Sequence, residues 1–189
     1  MRTIRTFVAV PLPNDLAGPA ADCIARTRQD GDGIRWVPED NLHLTLKFLG
    51  EVENVDTPAV CQLVRRIAND VQPFDLQFRG CDALPSVEKA RVLTIAVDDP
   101  SGQLKQMAMT MEDHFADLGF KREPRDYVPH LTLGRAKANS RRVPESVLSR
   151  WLQGNDDSLG EMTVRRVQVI GSFLEKRGPT YNVMDTVHL

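Results

Sequence analysis

The chain has 189 residues, 41% of them hydrophobic and 26% charged, which is enough to bury a core without covalent staples. A formal net charge of −2 excludes global attraction for nucleic acid, so any polyanion site must be local. Cys23, Cys61 and Cys81 are odd in number and form no C-x-x-C, which argues against a disulfide framework or zinc finger and for a reducing, cytoplasmic location.

The apolar run Phe7-Val8-Ala9-Val10 stops at Pro11 and Pro13, too short for a signal peptide or membrane span, and predicts a first strand. Asn14 or Asp15 is expected to cap a helix carrying Leu16, Ala20, Cys23, Ile24 and Thr27, ended by Asp30-Gly31-Asp32-Gly33. Ile34 to Val37 reads as extended, and Pro38 to Asn41 as a turn that delivers Leu42 onto a strand closed by Gly50. A second helix begins near Asp56 or Thr57, with Pro58 in its first turn.

Phe74, Leu76 and Phe78 alternate, and residues 91–97 are rich in β-formers, so two strands follow. Asp99-Pro100-Ser101 turns into a third helix with Leu104, Met107, Ala108, Met111, Phe115 and Leu118 on one face, the methionines as core filler. Lys121 to Val128 leads to another strand after Pro129. Pro144 then enters a short helix, Gln153 to Leu159 reads as a polar loop, and residues 162–170 and 181–189 read as two late strands. One domain over residues 1–189 is expected, as two related α+β lobes.

One word stands out in this order. His43-Leu44-Thr45-Leu46 recurs as His130-Leu131-Thr132-Leu133, in a chain with only four histidines. Such a tetrapeptide is expected roughly once in 10⁵ positions. On a strand, His and Thr share one face and the leucines the other, so each copy fastens to a core and shows an imidazole beside a hydroxyl. Two imidazoles across a cleft can serve as acid and base near neutral pH, with hydroxyl donors holding phosphoryl oxygens. Catalytic zinc takes three protein ligands, and neither motif supplies a third, so no metal and no cofactor is expected. His114 and His188 read as surface or packing histidines.

Between Lys121 and Arg142 seven basic residues face two acidic ones, a local positive field in a nearly neutral chain. It reads equally as a solvated loop or as a steering surface for an anion. Arg135, directly after the second motif, has the planar fork that clamps phosphate.

These words, with Arg35-Trp36-Val37-Pro38, Lys47-Phe48-Leu49-Gly50-Glu51-Val52 and Pro129 to Arg135, resemble the two-histidine (2H) phosphoesterases. Within them the likeness is to RNA 2′,3′-cyclic phosphodiesterases, also called 2′-5′ RNA ligases. The resemblance implies an α+β fold of two lobes, each with an antiparallel sheet and outer helices, pseudo-twofold about a central cleft. It implies hydrolysis of RNA 2′,3′-cyclic phosphate ends to 2′-phosphomonoesters.

Carried over, His43 is the proton donor, His130 the proton acceptor, and Thr45, Thr132 and Arg135 bind phosphate. Phe48 stacks on the terminal base in the family. Strict alternation from His43 puts it on the core face instead, and both placements stay open. Lys47 is expected as a solvated strand-end residue. The Tyr127 hydroxyl, where the family commonly has Phe, is expected to touch substrate. The partner is RNA or a nucleotide carrying a 2′,3′-cyclic phosphate, with no membrane, and the chain is expected as a monomer. A small cyclic nucleotide as substrate, or non-catalytic binding of RNA ends, are the alternatives.

Overall fold

The computed structural model describes residues 2–153, 158–175 and 178–189. Its elements run β1 (Thr3–Pro11), α1 (Asn14–Thr27), β2 (Ile34–Trp36), β3 (His43–Glu53), α2 (Thr57–Ala68), β4 (Phe74–Leu84), β5 (Val92–Asp98) and α3 (Gln103–Asp117). Then come β6 (His130–Ala136), α4 (Glu145–Gln153), β7 (Gly160–Val164), β8 (Arg166–Glu175) and β9 (Gly178–His188). The expected α+β class holds: one sheet has the order β3-β1-β8-β9, the other β2-β6-β5-β4-β7, and every pairing is antiparallel.

The helices cover the outer faces because their apolar stripes face inward. On α2, Val60, Leu63, Val64 and Ile67 are buried. On α3, Leu104, Met107, Ala108, Met111 and Phe115 are buried, so Met107 and Met111 do fill the core, whereas Leu118, expected on the same face, caps the helix end and is exposed. Helices α2 and α3 lie against the first sheet, α1 and α4 against the second. The buried side chains of both sheets form one continuous cluster, from Val8 and Leu44 to Leu93, Leu131 and Trp151.

The capping expectations divide. Asp99 and Ser101 accept the backbone N–H groups of Lys105 and Gln103 at the start of α3. At α1, Asn14 and Asp15 already lie inside the helix and Pro13 stands at the cap position with no side-chain bond. The late stretch 162–170 is not one strand. It breaks at Arg165, and β7 joins the second sheet while β8 joins the first. Gly154 to Asp157 of the expected polar loop, and Lys176 and Arg177 of the last turn, lie outside the described residues.

Candidate active site

The two motif strands lie in different sheets, β3 at the edge of the first and β6 inside the second, and they approach each other. In both copies the leucines are buried: Leu44 and Leu46 in one, Leu131 and Leu133 in the other. His43, Thr45, His130 and Thr132 are only partly covered, on the opposite face of their strands. The period-2 reading therefore holds in both copies.

It fails two residues later, in the same way each time. Ala9 pairs with Thr45 and Val8 with Lys47, so Leu46 is an extra residue in β3. Thr94 pairs with Thr132 and Leu93 with Gly134, so Leu133 is the extra residue in β6. Each bulge falls on the last leucine of the motif and shifts the alternation by one. In β3 this turns Lys47 to the core and Phe48 to the face of His43 and Thr45. In β6 it turns Gly134 to the core and Arg135 to the face of His130 and Thr132.

Phe48 thus faces the groove, 40% exposed and tilted against Phe7 at 5.7 Å. The strand does not end at Gly50. A second bulge sits there, and the left-handed φ of 73° explains the glycine. Lys47 contradicts its expectation: it is buried, and its ammonium donates to both Glu112 carboxylate oxygens, at 2.8 and 2.7 Å, and to the Lys121 carbonyl at 2.8 Å. The alternation counted from His43 missed the extra residue. Gly134 has no room for a Cβ, which would meet Ile34 and Trp36 at 2.8 and 2.9 Å.

The imidazoles are held alike. His43 Nδ1 lies 2.7 Å from the Asn41 carbonyl, and His130 Nδ1 lies 2.7 Å from the Val128 carbonyl. A carbonyl only accepts, so Nδ1 carries the proton in both rings and Nε2 is the exchangeable nitrogen. Asn41 is itself pinned by its side-chain amide donating to the Pro179 carbonyl at 3.0 Å.

Beyond this the copies differ. His43 Nε2 sits 3.0 Å from Thr45 Oγ1, and its ring stacks on Phe7 at 4.8 Å and meets the edge of Tyr181 at 5.5 Å. Neither His130 Nε2 nor Thr132 Oγ1 bonds another described residue. Phe7, Ala9 and Ile170 form a small apolar cluster with Tyr181, cut off from the main core by the sheet itself.

Burial holds both imidazoles below the ordinary histidine value of 6.5; the carbonyl bonds oppose this, and Arg135 lowers both further. One guanidinium therefore acts on both rings. The Arg135 side chain is open to the groove yet sufficiently surrounded for desolvation to lower its own pKa. Tyr181 opposes that shift, and Arg35 and Arg5 add to it.

Such a groove offers two proton-transfer nitrogens, hydroxyl donors and a fixed cation, the set that an in-line displacement at phosphorus uses. Among the described residues no group of three or more His, Cys, Asp or Glu is arranged to hold a metal ion.

Other expectations resolve as follows. The Tyr127 hydroxyl does not turn to the groove; it donates to the Thr45 carbonyl at 3.0 Å, tying the loop before the second motif to the first. Of the basic stretch Arg135 stands on the His-Thr face, while Arg122 pairs with Asp113 and Arg142 donates to the Glu88 carbonyl. His114 and His188 are exposed, as expected. Phe7, Tyr181, Arg5 and Arg35 were not singled out by the sequence. Their place depends on which strands pair, and β1 and β9 are distant from the motifs along the chain.

Two antiparallel sheets joined around a pair of His-x-Thr strands define a phosphoesterase of the two-histidine kind. A family model described as the 2′-5′ RNA ligase superfamily matches residues 13–172, and the chain belongs to that family. An RNA 2′,3′-cyclic phosphodiesterase of Methanothermobacter thermautotrophicus is 32% identical over 187 residues, 98% of this chain and 99% of that one. One from Archaeoglobus fulgidus is 32% identical over 178 residues, 94% and 96% of the two chains. A solved structure from Thermus thermophilus superposes with a TM-score of 0.79 at 26% identity, covering 98% of each chain. That of E. coli LigT complexed with 3′-AMP gives 0.79 at 24%, covering 100% and 99%, and bears on the fold alone.

Proposed function

We propose that the chain hydrolyses the 2′,3′-cyclic phosphate at an RNA end to a 2′-phosphomonoester. His130 Nε2 takes a proton from water as its oxygen attacks phosphorus. The P–O3′ bond breaks, and His43 Nε2 delivers a proton to the leaving 3′ oxygen. Thr45, Thr132 and Arg135 hold the non-bridging oxygens, and Phe48 offers a face to the terminal base. The strained ring and the two imidazoles supply what the step needs, so no metal enters it.

The observation that supports this reading is the shared bulge, which turns Arg135 onto the strand face of His130 and Thr132 and Phe48 onto that of His43 and Thr45. Family membership and the activity named for the relatives from Methanothermobacter and Archaeoglobus point the same way. The division of roles rests on the difference between the copies. Among the described residues nothing engages His130 Nε2, which suits a base, whereas the His43 Nε2 is already held by Thr45. An arriving phosphate offsets the repulsion from Arg135 and raises the proton affinity of both rings, supplying the acid. No described helix is long and apolar enough to cross a membrane, and an odd number of cysteines without a C-x-x-C suits a reducing compartment.

Incubation with an oligonucleotide ending in a 2′,3′-cyclic phosphate should yield the 2′-phosphomonoester, with or without chelator. His43→Ala and His130→Ala should each lower the rate by on the order of 10²- to 10⁴-fold while remaining folded. Bound but unprocessed RNA would instead identify an RNA-end binder, and full activity in both variants would remove the catalytic pair.

A further inference from the structure

Two further arginines stand on the strand faces that carry the site residues. On β1 the face that carries Phe7 and Ala9 also carries Arg5, two residues beyond Phe7, opposite Glu51 on β3 and Ser172 on β8. On β2, Arg35 lies directly opposite Arg135. Both Arg5 and Arg35 are exposed, and their charges reach the guanidinium of Arg135; Arg5 acts on the Tyr181 phenol as well. Glu51 is the carboxylate placed to neutralise Arg5, but it accepts from the Thr3 hydroxyl at 2.9 Å and forms no ion pair with the arginine. Among the described residues neither Arg5, Arg35 nor Arg135 makes a salt bridge.

Three like charges held together without a counter-ion repel one another, an arrangement that a bound anion relieves. The phosphate that reacts sits by the histidines, at the start of both motif strands. Arg5 lies beyond the Phe7–Phe48 pair, about 6–7 Å further along the strand than Phe7, a step comparable with one nucleotide of backbone. In RNA whose 2′ and 3′ oxygens are closed by the cyclic phosphate, the only other phosphate on the terminal nucleotide is joined to its 5′ oxygen.

We infer that Arg5 and Arg35 form a second phosphate subsite, which grips the phosphate on the 5′ side of the terminal nucleotide and makes the site favour RNA strands over lone nucleosides. This rests on the reading of the groove as a cyclic phosphodiesterase. It adds a substrate preference: Arg135 serves the reacting phosphate, while Arg5 and Arg35 serve the one before it. The grip takes either a 5′-phosphomonoester or an internucleotide diester.

The test compares kcat/KM on adenosine 2′,3′-cyclic phosphate, the same compound with a 5′-phosphate, and the dinucleotide ApA ending in the cyclic phosphate. The native chain should prefer both longer substrates over the nucleoside by on the order of 10-fold. That preference should shrink as salt rises. In Arg5→Ala/Arg35→Ala the ratio should collapse toward one, and Arg5→Lys/Arg35→Lys should restore part of it.

A preference confined to the dinucleotide would mark a diester site; equal gains with both would mark a site for any 5′-phosphate. Equal turnover of all three by the native chain, or an equal fractional loss on all three in the double variant, would overturn the subsite. No turnover of any of them would instead overturn the phosphodiesterase reading itself. Both side chains are exposed, so folding should survive, and a matched thermal transition checks it.

Discussion

His43 and His130 each spend Nδ1 on the carbonyl two residues before them, so a backbone turn, not a neighbouring carboxylate, fixes which nitrogen can react. Among the described residues no acid lies behind either ring to raise its basicity. Burial and Arg135 press both below 6.5. If one ring must be protonated and the other neutral, kcat/KM peaks midway between the two values, hence on the acid side of about pH 6.5. An optimum above pH 7 on a cyclic-phosphate substrate would show that burial does not set these affinities. The same shift links pH to stability. Between the folded and unfolded values the unfolded chain binds more protons, so stability is complete above about pH 6.5 and falls as pH drops through the depressed values. Urea midpoints in His43→Gln/His130→Gln should therefore fall less between neutral and mildly acid pH than those of the native chain.

At the scale of the strand, the bulge decides what lines the groove. Fifth after its histidine, β3 presents Phe48 and β6 presents Arg135, an apolar ring and a cation at equivalent positions. Fourth after its histidine, each strand turns a residue inward, and the two interiors differ: one accommodates Lys47, the other admits only Gly134 against Ile34 and Trp36. Gly134→Ala should lower stability by about 1–3 kcal/mol, through overpacking against the short strand β2, in a urea titration. Because β2 also carries Arg35, opposite Arg135, the same variant should weaken phosphate binding beyond what its stability loss explains.

Across the whole molecule, the stretch before the second motif is fastened to the sheet that holds the first. Lys47 reaches the Lys121 carbonyl, Glu112 accepts the Glu123 N–H at 2.7 Å, and Tyr127 reaches the Thr45 carbonyl. The Lys47 side chain is 1% exposed and that of Glu112 22%, so water partly screens the carboxylate once its cation is lost. Lys47→Met should cost roughly 1–3 kcal/mol, less than a fully buried pair, and Lys47→Met/Glu112→Gln should recover much of it in the same titration. Tyr127→Phe removes one hydrogen bond and should cost about 1 kcal/mol while retaining most of the activity. A large fall in kcat without a matching stability loss would give its hydroxyl a role at the substrate.

The repeated His-Leu-Thr-Leu word, the alternation inside it and the helical stripes were legible from the chain because each depends on neighbours within four residues. The same local rules placed the leucines in the core and the His-Thr faces outward, and they reached Arg135 by its adjacency to the motif. They misplaced Lys47 and left Phe48 open because a bulge is a property of two paired strands, and nothing in Leu46 or Leu133 marks it. They could not join residues 162–170 to two different sheets, nor bring Phe7 and Tyr181 to His43 and set Arg35 opposite Arg135. What the sequence determined by itself is the repeated pair of histidines and the face each one shows. Tertiary structure decided what surrounds that pair, since strand order and register depend on contacts between segments far apart along the chain.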